Sequence, residues 1–217
     1  MPHFTTLADA VEYYNSTLQT KIHVELEICR YLIHDTSFTP HEIASALVRC
    51  KHQFRLPNWK KNKIIDTLAT NCPWRRTYRD FEELYECICA LFASLGMRAE
   101  LTCYDVAKRI GYALGCPPVT TVYLWADPYK NAGMLLAAGV RRRHRMPVPA
   151  FVMPLALLGA LDIEHFACII EYDKAAGLWY LPGTIPHMFS YNIIPTGSTQ
   201  PLHSKILGKY SIFNGLI

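Results

Sequence analysis

The sequence has no C-x-x-C pair, no H-E-x-x-H, no G-x-S-x-G and no glycine-rich phosphate loop, and its 11 glycines are scattered. Each of those motifs holds its reacting groups at a fixed local spacing. Their absence therefore removes a tight zinc knuckle or thiol redox pair, a zincin-type metal site, a hydrolase serine elbow and a nucleotide cradle. Long hydrophobic runs are lacking too. The most apolar window, 148–161, is broken by Pro149 and Pro154 and is too short to cross a bilayer as a helix. The opening "MPHFTTLADAVEYYNS" has no basic segment followed by an apolar stretch, so no secretory signal is visible. The expectation is a soluble protein without a membrane span, cytoplasmic or delivered by a specialised secretion route.

What is there begins with 217 residues, 51% hydrophobic and 18% charged, enough apolar material for a substantial core. The formal charge of +4 is the balance of 22 basic and 18 acidic residues, with no basic tail. Charge alone therefore names no partner. The eight cysteines are dispersed, and a chain this long needs no disulfide framework, so reduced and mostly buried thiols are expected. The pair His34–Asp35 and the lone His187 and His203 lack ligand spacing, so neither a metal nor a cofactor is expected.

The first half, 1–98, reads as a helical region. Ile22, Leu26, Cys29 and Ile33 form a helical stripe. "TPHE" at 39–42 offers Thr39 as N-cap, Pro40 at the first helical position and Glu42 at the third, a capping box. Further helices follow Pro57 and run through 78–96. From about residue 119 the texture turns to short β-rich runs: 119–126, then "HFACIIEY" at 165–172, then "LWYL" at 178–181 after the turn "DKAAG". The last two are expected to form a hairpin. The fold class expected is α+β, with 1–98 helical and 99–217 carrying one more helix and a small antiparallel sheet, the two parts forming one continuous domain or two.

"TCYDVAKRIGYALG" at 102–115 attracts attention chemically. Thr102 and Asp105 read as a capping box that puts Cys103 in the first turn of a helix ending at Gly115. Backbone N–H groups and the helix dipole converge there and lower a thiol pKa. An attacking thiolate also needs a base, and His165, at the start of the expected strand, is the candidate. The residues expected opposite it, 183–187, include no acid or amide. Thr184, His187, a backbone carbonyl, or Asp127 or Asp162 from elsewhere are the alternatives for orienting the ring, and the role stays unassigned.

This order resembles the papain-like fold in its compact form, as in NlpC-type cysteine peptidases, amidase effectors and transglutaminase-like or deamidase proteins. The likeness covers roughly residues 100–185. It implies Cys103 as nucleophile, His165 as general base and acid, and a protein or peptide substrate, with a host target or a cognate inhibitor as further partners. The reaction implied is acyl transfer at an amide bond, as a peptidase, amidase, deamidase or transglutaminase, in an effector or toxin.

The alternative is a noncatalytic protein- or nucleic-acid-binding module using the helical half and the basic run "RRRHR" at 141–145. It predicts a buried, unreactive Cys103. With "WKKNK" at 59–63 and "WRR" at 74–76 that run supplies basic residues beside aromatics, but the modest net charge and lack of a recognition motif weigh against nucleic acid. Trp125 and Tyr129 are further candidates for a cleft wall.

Overall fold

Thr39 starts a helix as its neighbours predict. Its hydroxyl accepts from the Glu42 backbone N–H at 3.3 Å, the Glu42 carboxylate accepts from the Thr39 N–H at 2.8 Å, and Pro40 occupies the first turn. The computed structural model describes residues 1–49 and 56–183. The described residues divide into two compact units, 1–23 with 118–183, and 24–49 with 56–117. Cys50, Thr184, His187 and His203 lie outside the described residues. No helix among those described is long and apolar enough to cross a membrane.

The second unit is helical where it is described. It contains most of α2 (Gln19–His34), then α3 (Pro40–Val48), α4 (Asn58–Asn71), α5 (Phe81–Ser94) and α6 (Glu100–Leu114). Asp80 caps α5 by accepting from the Glu83 N–H at 3.0 Å. Ile43, Leu47, Ile64, Leu68, Leu84, Ile88, Val106 and Ile110 form its apolar interior. At Gly111 a Cβ would lie 2.8 Å from the Cys116 carbonyl oxygen and 3.0 Å from Phe81 Cδ2, so only glycine lets α6 meet α5 there. Gly115, at φ +76, ends α6 in the left-handed conformation.

The first unit holds β1 (His3–Phe4), α1 (Leu7–Tyr13) and a π-helical turn at Tyr14–Leu18 leading into α2. After residue 118 come β2 (Thr121–Tyr123), α7 (Ala126–Asn131), β3 (Arg145–Pro147), α8 (Ala160–Ile169), β4 (Glu171–Asp173) and β5 (Leu178–Tyr180). β1, β5 and β4 form an antiparallel sheet in that order, and β2 pairs antiparallel with β3. The chain is therefore α+β, with a helical N-terminal half and small antiparallel sheets.

Three local expectations change. Residues 165–169 are helix, and of the 165–172 run only Glu171 and Tyr172, the start of β4, are strand. The cause is burial on every side: Leu161, Ile163, Glu164, His165, Phe166, Ala167 and Ile169 are all buried, so α8 shows no polar stripe to reveal a 3.6 period. The hairpin exists but is short, joining Glu171–Asp173 to Leu178–Tyr180 with Tyr172 facing Trp179, so it does not include His165. Finally, α6 starts two residues before Thr102, with Ala99 at its N-cap and no capping side chain.

Candidate functional site

The earlier start of α6 changes what surrounds Cys103. Its backbone N–H already donates to the Ala99 carbonyl at 2.8 Å, so it is not one of the orphan donors at the helix N-terminus. The residue is 2% exposed. A hydrogen bond with the Cys89 thiol, and then burial, push the Cys103 thiol well above the ordinary range. An attacking thiolate needs a shift of the other sign.

His165 lies in the middle of α8, in the first unit, whereas Cys103 belongs to the second. The neighbours of His165 are acidic and aromatic. Glu164 Oε2 lies 3.5 Å from its Nε2, and the His23 ring meets it edge-on at 5.6 Å between centroids. Asp162, three residues earlier on α8, completes the group: its Oδ1 lies 3.0 Å from His23 Nε2 and accepts from the Tyr14 hydroxyl at 2.9 Å. Burial acts to raise the Asp162 pKa, but the His23 interaction and the Tyr14 and Gln19 hydrogen bonds outweigh it and hold the carboxyl below its usual value. The Tyr14 hydroxyl is pushed up by burial and by Asp162, and it stays a proton donor. Among the described residues, His23, Asp162 and His165 are the one group of three whose side chains could hold a metal ion.

Asp162, one of the alternatives for orienting His165, shares a cluster with that histidine. His23 carried no signal of its own. A strand at 165–172 leaves Asp162 out of the element altogether. A helix places positions i and i+3 on one face, so "DIEH" at 162–165 is the pattern that could have found the pair. Asp127 instead accepts from Lys130 at 2.8 Å on the surface.

A second constellation lies on the β2–β3 pair. His144 is stacked between Trp125, 4.3 Å away at 15°, and Tyr129, 4.4 Å away at 26°. Arg142 lies over Tyr129 with its guanidinium carbon 4.1 Å from the ring centroid, and it donates to the Tyr129 and Lys130 carbonyls at 2.7 and 3.0 Å. His144 also exchanges bonds with Leu124, through its Nδ1 and its backbone carbonyl. The run is therefore braced from beneath, while Arg141, Arg143 and Arg145 are exposed.

Comparison of the chain with protein-family models, curated proteins and solved structures finds no match.

Proposed function

We propose that the chain is a noncatalytic binding module whose first unit engages an acidic protein surface through Arg141, Arg143 and Arg145. The observation that carries this reading is the braced basic strip: three exposed arginines on a backbone held by the Trp125–His144–Tyr129 stack and by Arg142. Guanidinium groups pair with carboxylates in a forked geometry, and a pre-ordered backbone lowers the ordering cost of binding. The surroundings favour an acidic protein over single-stranded nucleic acid. Base stacking needs open ring faces, and His144 and Tyr129 have both of theirs occupied. The buried, proton-holding Cys103 is what a binding module predicts, and the acyl-transfer reading asks for the reverse.

Fluorescence anisotropy with labelled poly-L-glutamate tests this. The parent chain is expected to bind with an affinity that falls as salt rises, and the combined variant R141E, R143E, R145E to lose about tenfold or more, the scale of a few charge pairs. Reversal of Lys60 and Lys63, outside the strip, is the control and should change little. Equal binding by the strip variant would overturn the proposal. Preference for a single-stranded oligonucleotide of matched charge would replace the acidic protein with nucleic acid.

A further inference from the structure

We propose that His23, Asp162 and His165 form a binding site for a divalent first-row transition-metal ion. Two imidazoles and one carboxylate make a donor set suited to zinc, iron, cobalt or nickel, and three protein ligands leave a coordination position for water or another ligand. One donor atom from each side chain lies within 4.8 Å of the others, and His23 Nε2 and Asp162 Oδ1 are already 3.0 Å apart. Metal–ligand bonds of about 2.0–2.2 Å bring donors to roughly 3 Å of one another, so modest side-chain rotation closes the site.

The scaffold suits the task. Asp162 and His165 stand at i and i+3 on α8, so one rigid helix presents both. His23 comes from α2, entered through the π-helical turn Tyr14–Leu18, a distortion common where a helix is adapted to a site. Tyr14 donates to Asp162 Oδ1, the kind of outer hydrogen bond that orients a ligating carboxylate. Glu164, 3.5 Å from His165 Nε2, places a second carboxylate beside that ring. Side-chain exposure falls from 21% at His23 through 14% at Asp162 to 3% at His165, so an ion entering past His23 meets progressively drier ligands. The site is independent of the arginine strip, and neither proposal stands or falls with the other.

A purely structural cluster of hydrogen bonds would satisfy the same three side chains without an ion, so the experiment separates the two. The full chain, stripped of metal with a chelator, is titrated with Co²⁺ and followed by visible absorption, then with Zn²⁺ by calorimetry and thermal unfolding. The expected result is one Co²⁺ per chain, displaced by Zn²⁺, with a rise in Tm on metal addition. The spectrum should lack a thiolate-to-cobalt charge-transfer band, which distinguishes this site from the cysteines. Asp162→Asn, which keeps the side-chain shape, and Tyr14→Phe, which keeps the ring against Phe166, should each weaken binding about tenfold or more. His165→Gln should do the same. If a histidine variant fails to fold, the first two carry the test. Absence of Co²⁺ and Zn²⁺ binding by the folded parent, unchanged affinity in Asp162→Asn, or a thiolate band would each overturn the assignment.

Discussion

A thiol that attacks a carbonyl must first give up its proton, and at Cys103 the surroundings keep that proton in place. The Cys89 hydrogen bond and burial both act in that direction. In the native chain, iodoacetamide alkylation of Cys103 should stay slower than at half-buried Cys72 or Cys87 and should not accelerate between about pH 7 and 9, near the ordinary thiol pKa. Site-resolved mass spectrometry checks this, with His165→Ala expected to leave the rate unchanged. Selective neutral-pH reaction at Cys103, lost in that variant, would restore the acyl-transfer reading. The linkage has the matching sign. A thiol raised in the folded state contributes stability that is full below the unfolded thiol pKa and is lost as pH climbs above about 8.5.

At the scale of elements, the start of α3 and the stop of α6 were legible, the Thr102–Asp105 box lies inside α6 and does not cap it, and periodicity was less legible still. Thr39, Pro40 and Glu42 start α3, and Gly115 ends α6, because those signals act over one turn and do not depend on distant packing. The α8 stretch reads as strand because burial on all sides erases the amphipathic pattern, and a strand hides the Asp162–His165 pair. The contact of α5 with α6 depends on a residue whose role no local pattern reveals. Gly111→Ala should lower stability by about 1–3 kcal/mol, since the added carbon meets the fixed carbonyl oxygen of Cys116. Arg109 ties α6 to its neighbours: its Nε donates to Glu25 Oε1 at 2.6 Å and its Nη1 to the Leu47 carbonyl at 3.3 Å. Glu25→Ala removes the carboxylate that faces that buried guanidinium and should cost about 3–5 kcal/mol in chemical denaturation. A loss below about 1 kcal/mol would mean that water reaches Arg109.

At the scale of the whole molecule, a net charge of +4 hides an uneven distribution. The arginine run was visible as a string of letters, but its bracing was not, because Trp125 and His144 are brought together by pairing of β2 with β3. His23 likewise reaches Asp162 across 139 positions, a separation over which composition and spacing carry no information. That distinction divides the roles of neighbouring arginines. Arg142 spends its guanidinium on the Tyr129 and Lys130 carbonyls and on the Tyr129 ring, so Arg142→Ala should lower Tm and weaken polyglutamate binding together. Arg141 and Arg143 are exposed, and reversing their charge should leave the melt within about 0.5 kcal/mol of the parent while removing most of the binding. Calorimetry and anisotropy on the same samples read both quantities. If Arg142→Ala alone abolished binding with no change in Tm, the contact surface would centre on Arg142 and the Tyr129 ring, and the bracing role assigned to them would be wrong.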